Sequence, residues 1–158
     1  MRAGISGPRR LGDPAARDWI ANSLARLLDQ HAVTEGLSTL AEGADQLFAE
    51  LILATARKLV AVIPCANYQA AFDTDAGRAA YLRLSDRAHR RVQLDFRAPG
   101  ERAFLDAGRH VVEHCDVLFA VRDGKPARGM GGTAEIVELA RRLGRRTIQL
   151  DALERKIR

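Results

Sequence analysis

The chain contains 158 residues, of which 47% are hydrophobic and 28% are charged, a composition that excludes a disordered or fibrous protein and fits one globular domain. Lys and Arg number 25 and Asp and Glu number 20, so the formal net charge is +5, which raises the question of a phosphate-bearing or nucleic-acid partner. The two cysteines lack CxxC spacing, which excludes a disulfide framework. No apolar run reaches the ~18 residues of a membrane span and no signal-peptide core is present, so we expect a cytoplasmic protein without a membrane partner.

Strand-like and helix-like segments alternate from one end of the chain to the other. Continuous apolar runs at 58–63 and 116–121 are typical of parallel strands that are covered on both faces. Shorter strands are predicted at 3–5, 32–36, 91–94 and 147–150. Apolar residues three and four positions apart predict a helix that begins at Asp13-Pro14, and further helices at 44–56, 74–88, 101–115 and 136–143.

This alternation predicts an α/β fold of the Rossmann-like type, in which a doubly wound, mostly parallel sheet lies between two layers of helices. We assign residues 3–150 to a single three-layer domain of this kind, and we expect the charged tail at 151–158 to fray. In such sheets ligands bind outside the carboxyl ends of the strands, near the point where the strand order reverses. The residues that follow each strand are therefore the candidate site residues.

The first predicted strand is followed by Ser6, Gly7 and Arg9. Glycine lets backbone N–H groups approach an anion, a serine hydroxyl donates a hydrogen bond, and arginine pairs with phosphate. These residues are candidate phosphate contacts. An ordinary strand-to-helix turn explains the same three residues equally well.

The connection after the second strand combines hydroxyls, glycines and carboxylates in one short segment. Ser38 and Gly43 suit phosphate, while the carboxylates of Glu42 and Asp45 suit ribose hydroxyls. The alternative is that a hydroxyl caps the next helix and that the acidic side chains stabilise its first turn. After the third strand, Tyr68 either stacks on a base or packs in the core.

A glycine-rich segment joins the buried strand at 116–121 to the last helix. Thr133 and the glycines before it can present N–H groups and a hydroxyl to a phosphate at the start of that helix. Glu135 lies in the first turn, where a carboxylate suits a ribose hydroxyl, or chemistry at the sugar, better than it suits phosphate affinity. The candidate ligand contacts in this segment are Asp123, Gly124, Arg128, Gly131, Gly132 and Thr133.

These motifs together resemble the SLOG superfamily, the Rossmann-like nucleotide-binding domains related to the Lonely guy cytokinin-activating enzymes and to DNA-processing protein A. The resemblance covers about residues 3–150 and is carried by the segments GISGPR (4–9), STLAEGAD (38–45), CDVLFAVRDG (115–124) and GGTAE (131–135). It implies a nucleotide or nucleotide-derived ligand, with its phosphate held by the first loop and the Gly131-Gly132-Thr133 turn. The related enzymes commonly form homodimers, and other members are regarded as bacterial sensors of nucleotide signals.

Lonely guy enzymes cleave the N-glycosidic bond of a purine nucleoside monophosphate and carry a PGGxGTxxE motif. This sequence lacks the extra glycine before Thr133, and Glu135 comes two residues after that threonine instead of three, which turns the carboxylate by ~100° on a helix. We therefore expect a nucleotide sensor or binding protein, with N-glycosidase activity as the alternative. In an enzyme, Glu135 would be the catalytic carboxylate and Glu42 or Asp45 the other candidate.

Two further hypotheses come from other classes of protein. His110 and His114 form a literal H-x-x-E-H, as in an inverted zincin, but no third ligand is evident, so we expect no resident metal. We expect no other cofactor, apart from a divalent cation that enters with the nucleotide. DNA binding is the remote alternative, because the basic pairs are scattered and aromatic residues make up only 5%.

Overall fold

Strands and helices alternate through the computed structural model of the chain, which describes residues 1–124 and 132–158. The strands are β1 (Arg2–Ser6), β2 (Glu35–Ser38), β3 (Lys58–Ile63), β4 (Arg90–Gln93), β5 (Val117–Arg122), β6 (Arg146–Asp151) and β7 (Lys156–Ile157). The helices are α1 (Pro14–Gln30), α2 (Ala44–Ala54), α3 (Asp75–Arg87), α4 (Glu101–His114), α5 (Thr133–Arg142) and a 3₁₀ helix (Tyr68–Ala71). No helix within the two described ranges is long and apolar enough to cross a membrane.

In the described residues the strands form one seven-stranded sheet in the order β4-β3-β2-β1-β5-β6-β7. The strands from β4 to β6 are parallel to their neighbours, and β7 is antiparallel to β6. From β1 the chain winds outward to β4, and α4 then carries it back to β5 on the other side of β1. The strand order therefore reverses between β1 and β5, which confirms the predicted doubly wound, mostly parallel α/β fold.

Helices cover both faces of the sheet. On one face, α1, α2 and α3 pack on a core that includes Phe48. On the other face, α4 and α5 pack on a second core through residues such as Val111 and Ile136. Neighbouring residues of β5 serve opposite cores, with Phe119 in the first and Leu118 in the second. This explains why the central strands have continuous apolar sequences instead of alternating ones.

Two helix ends follow the signals that the sequence provides. Asp13 accepts a hydrogen bond from the N–H of Ala16 (2.8 Å), and Pro14 is the first residue of α1. Gly144 takes φ +67° just after α5, the left-handed conformation that commonly ends a helix. Both predicted boundaries are confirmed.

The second strand lies later than predicted, at Glu35–Ser38 instead of 32–36. After α1, Ala32 takes φ +48°, and the N–H of Val33 donates a hydrogen bond to the carbonyl oxygen of Leu28 (3.0 Å). The turn that ends α1 therefore uses the residues that the sequence pattern assigned to the start of the strand.

The charged tail does not fray as predicted. The Asp151 carboxylate accepts hydrogen bonds from the N–H groups of Leu153 and Glu154 (both 3.0 Å), which closes a turn of the kind that aspartate favours. The chain then returns beside β6, and Gln149 and Arg158 exchange two backbone hydrogen bonds of 2.9 Å. Ion pairs from Arg158 to Asp151 and Glu154 span the same turn.

The close approach of α4 to β1 depends on Gly4. A Cβ atom at this position would lie 2.5 Å from Cγ1 of Val111 and 3.3 Å from Sγ of Cys115, so a larger residue forces the helix away from the sheet. We expect Gly4→Ala to lower the free energy of unfolding by about 1–3 kcal/mol, measured by urea denaturation.

Gly100→Ala is the matched control. Gly100 has extended backbone, and a Cβ atom there meets nothing within 4 Å. Because Gly100 is the N-cap of α4, where alanine is less favourable than glycine, we expect this variant to lower the free energy of unfolding by less than about 1 kcal/mol. Equal effects in the two variants would contradict the packing argument.

Candidate functional site

Three chain segments leave the carboxyl ends of three neighbouring strands. Since β1 lies between β2 and β5, the β1–α1 loop, the β2–α2 connection and the segment after β5 meet at one edge of the sheet. The connections from β1 and β5 depart to opposite faces, and a crevice forms where they separate. The predicted site residues lie at the ends of these strands, on these segments, or in the first turns of α2 and α5.

The β1–α1 loop places an arginine at this edge. Ser6 ends β1, and Gly7 lies so close to α2 that a Cβ atom on it would be 2.5 Å from Cβ of Ala44. The side chain of Arg9 is 53% exposed, and its guanidinium lies 3.7 Å from the carboxylate of Asp73. Because an exposed ion pair of this kind contributes little, Arg9 can exchange it for an anionic ligand.

Internal hydrogen bonds organise the β2–α2 connection, residues 39–43. The Ser38 hydroxyl donates to the main-chain carbonyl of Asp45 (2.9 Å) and accepts from the N–H of Leu40 (3.0 Å). The Thr39 hydroxyl donates to Oδ2 of Asp45 (2.5 Å). Leu40 takes φ +61° although it is fully buried, a conformation that persists only when its surroundings enforce it. Ser38 is also fully buried, and its hydroxyl holds the backbone of this connection and of the first turn of α2.

Gly43 joins the β2–α2 connection to the β1–α1 loop. It has φ +84°, and a Cβ atom on it would lie 2.3 Å from the carbonyl oxygen of Pro8 and 2.4 Å from that of Arg9. The N–H of Ala44, the first in α2, donates to the Pro8 carbonyl (3.1 Å). The contacts of Gly43, predicted as a phosphate contact, are those of a packing residue between two loops.

Asp45 is a carboxyl group in the first turn of α2 that is only 6% exposed. Burial raises the pKa of Asp45 from 3.8 to about 7, and hydrogen bonds from Thr39 oppose part of the rise. No cation in residues 1–124 or 132–158 contributes to the shift. A buried carboxyl group with a raised pKa at the candidate site is suited to acid–base chemistry or to proton-linked binding.

Tyr68 packs in the core, which decides between the two hypotheses for this residue. It is 4% exposed, and its ring centroid lies 5.0 Å from that of Phe72. Burial raises the pKa of the Tyr68 phenol; the charge of Asp45 raises it further, whereas Thr39 and Arg9 lower it. The phenol therefore lies within electrostatic range of both Asp45 and Arg9.

The Glu42 carboxylate caps the next helix along this edge. It accepts hydrogen bonds from the N–H of Asp73 (3.2 Å) and the hydroxyl of Thr74 (3.3 Å), immediately before α3, where negative charge is favourable. A Cβ atom on Gly77 would lie 2.3 Å from Cδ of Glu42, so this packing is close. Glu42 also lines, with Arg9, the clefts beside the β1–α1 loop.

The described residues on the β5 side of this edge are those just after β5 and at the start of α5. Asp123 and Gly124 follow β5 directly, Gly132 is the N-cap of α5, and Thr133 is its first residue. Glu135 is partly buried in the first turn of α5. Two further predicted contacts, Arg128 and Gly131, lie outside the described residues.

The two histidines of the H-x-x-E-H sequence stack on each other. His110 and His114 lie one turn apart on α4 with ring centroids 4.0 Å apart, and Nδ1 of His114 is 2.8 Å from the carbonyl oxygen of His110. In residues 1–124 and 132–158, no group of three or more His, Cys, Asp or Glu side chains could hold a metal ion.

No protein-family model and no curated protein matches the chain, but solved structures share its fold. DNA processing protein A from Streptococcus pneumoniae matches with a TM-score of 0.69 and 17% identity, over 97% of this chain and 53% of its own. The structural-genomics target TM1055 matches with a TM-score of 0.58 and 15% identity, over 92% of this chain and 71% of its own. A molybdenum cofactor binding protein from the phototrophic bacterium Rippkaea orientalis matches with a TM-score of 0.57 and 17% identity, over 96% of this chain and 78% of its own.

At 15–17% identity these matches show that the chain shares its Rossmann-like fold with these three proteins. The chain spans about half the length of DNA processing protein A.

Asp45 should link stability to pH. Its pKa is about 7 in the folded protein against 3.8 for an unburied group, so the folded state keeps a proton that the unfolded state releases. The resulting stabilisation is complete below pH ~4 and is lost as the pH rises through ~7. We expect Asp45→Asn to remove this loss. From pH 4 to pH 8, the free energy of unfolding of the variant should rise relative to that of the wild type by at most about 4 kcal/mol, measured by urea denaturation.

Asp18→Asn is the control for the loss of one carboxylate, because Asp18 is exposed on α1. Its stability profile should follow that of the wild type. Parallel profiles for the wild type and Asp45→Asn would show that Asp45 does not titrate near neutral pH in the folded protein.

Proposed function

We propose that this protein binds a nucleotide or a nucleotide-derived small molecule at the carboxyl edge of its sheet and acts as a binding or sensor protein. The observation that carries the proposal is the reversal of strand order between β1 and β5, with the β1–α1 loop and the start of α5 on its two sides. A molybdenum cofactor binding protein shares this fold, which supports the proposal that this chain binds a small molecule.

The phosphate of the ligand would lie between the β1–α1 loop and α5. Ser6 and Gly7 supply a hydroxyl and a glycine backbone at the end of β1, and Arg9 supplies an exposed guanidinium. Gly132 and Thr133 begin α5, where unpaired N–H groups and the helix dipole favour an anion. This arrangement provides positive potential from two directions.

The sugar of the ligand would meet the carboxylates on the β5 side. Asp123 follows β5 and Glu135 lies in the first turn of α5. Carboxylates accept hydrogen bonds from ribose hydroxyls, and they disfavour a second phosphate at the same position. The proposed ligand therefore has one anionic end and one hydroxyl-rich part.

N-glycosidase activity is the second candidate, and the raised pKa of Asp45 is the observation that favours it. A group that titrates near pH 7 can exchange a proton with a reacting substrate. Glu42 is a weaker candidate because its carboxylate already caps α3. Incubation with nucleoside monophosphates followed by chromatography for free base tests the activity. Glu135→Gln should abolish the release of free base, because Glu135 is the catalytic carboxylate of this alternative.

The binding proposal predicts that a nucleotide raises the midpoint of thermal denaturation. A ligand that binds only the folded state stabilises it by an amount that grows with ligand concentration. In a panel of nucleoside monophosphates, diphosphates and cyclic nucleotides, we expect at least one such ligand. Arg9→Gln should weaken its affinity by about tenfold or more, because a charge-assisted hydrogen bond to phosphate is lost.

Arg26→Gln is the control for the loss of one positive charge, since Arg26 is exposed on α1 and away from the proposed site. Its affinity should equal that of the wild type when measured by calorimetry. A panel that produces neither a thermal shift nor free base would contradict both the binding proposal and the enzymatic alternative.

A further inference from the structure

We propose that Asp45 makes ligand binding proton-linked: the edge accepts an anion when Asp45 is neutral and repels it when Asp45 is ionised. The inference rests on the proposed function, because it concerns the same site. It adds a specificity-determining residue and a direction of pH dependence.

The surroundings of Asp45 stabilise its neutral form. The side chain is only 6% exposed, and the Thr39 hydroxyl donates a hydrogen bond of 2.5 Å to its Oδ2. The main-chain carbonyl of Asp45 is held separately by Ser38. The hydroxyl and the backbone N–H of Thr39 are neutral donors, and no cation among the described residues adds to them. A buried carboxylate with only such partners is poorly compensated, so protonation lowers the free energy of burying this group.

The backbone beside Asp45 supports the loop that carries Arg9. Ala44, the preceding residue, donates its N–H to the Pro8 carbonyl, and Gly43 packs against the carbonyl oxygens of Pro8 and Arg9. The charges of Asp45 and Arg9 both act on the Tyr68 phenol, so a charge on Asp45 appears within electrostatic range of this loop. It attracts the Arg9 guanidinium inward and opposes any phosphate that Arg9 would bind.

The other charged and titratable groups that face Asp45 keep their charge near neutral pH or are already engaged. Tyr68 on the 3₁₀ helix has a raised pKa and stays neutral. Tyr81 on α3, whose ring meets that of Tyr68 edge-to-face with centroids 5.0 Å apart, also has a raised pKa. Arg9 on the β1–α1 loop remains a cation, and Glu42 on the β2–α2 connection is bonded to the start of α3.

The four histidines lie at the opposite edge of the sheet. His31 is the C-cap of α1, ahead of β2, and His89 directly precedes β4. The other two lie in the last turns of α4, which leads into the amino end of β5.

The test measures anion affinity against pH in the wild type, Asp45→Asn and the control Asp18→Asn. The probes are AMP and inorganic sulfate. The charge of sulfate is constant between pH 6 and pH 8.5, so sulfate separates the titration of the protein from that of the AMP phosphate. In the wild type and in Asp18→Asn, we expect affinity for sulfate to fall about tenfold from pH 6 to pH 8.5. Asp45→Asn should keep its pH 6 affinity for sulfate at pH 8.5.

Thr39→Val provides an independent variant that keeps the carboxyl group. Removing the hydroxyl removes the hydrogen bond that stabilises ionised Asp45, so the loss of affinity should move to higher pH. A residue with a merely structural role would lower affinity without moving the midpoint of the profile. Carbon-13 NMR of the Asp45 carboxyl group in the ligand-free protein should show a titration near pH 7.

The outcomes separate the inference from the proposed function. Binding with the same sulfate pH profile in the wild type and Asp45→Asn overturns the inference and leaves the proposed function in place. A carboxyl titration near pH 4 in the ligand-free protein likewise overturns the inference alone. Absence of AMP, sulfate and panel-ligand binding in every variant at every pH overturns the proposed function, and the inference fails with it.

Discussion

The contact between the β1–α1 loop and the start of α2 is the constraint on which the candidate site depends. It exists because Gly43 adopts φ +84° and carries no Cβ atom where two carbonyl oxygens of the loop approach within 2.3–2.4 Å of that position. Gly7 allows the same approach from the loop side, where Ala44 is the neighbour. These two glycines set the distance between Arg9 and the first turn of α2, and hence between the proposed anion site and Asp45.

The fold was predictable where the hydrophobic pattern of the sequence fits only one type of secondary structure. The strand at 58–63 was placed at the bounds the structure shows, and β5 within one residue, because a continuous apolar run between two helical patterns admits one interpretation. The second strand was misplaced because a closing turn at Ala32, with positive φ, is invisible in residue type. The tail was misjudged because its stability comes from a turn at Asp151 and from backbone pairing, and neither depends on apolar residues.

The site was harder to predict because the same residue types serve capping, packing and ligand binding. Two hydroxyls beside a glycine, Ser38 and Thr39, suggested phosphate, and the structure uses both to hold Asp45. An aromatic residue after a strand, Tyr68, suggested base stacking or core packing, and burial alone decides for the core. The raised pKa of Asp45 could not be derived from the sequence, since it depends on how completely the surrounding elements exclude water.

The positions of the charged side chains say more about the partner than the net charge of the chain does. Several of the arginines that produce the net charge of +5 are engaged on the surface: Arg141 and Arg142 pair with Glu138, Arg57 with Asp29 and Arg83 with Glu50. Such pairs neutralise one another locally and do not form the continuous basic track that a nucleic acid requires. At the carboxyl edge, by contrast, an exposed arginine stands near a carboxyl group whose charge is suppressed by burial. A neutral carboxyl group leaves the positive potential of Arg9 uncancelled over a short range, and that favours a small anion over a polyanion.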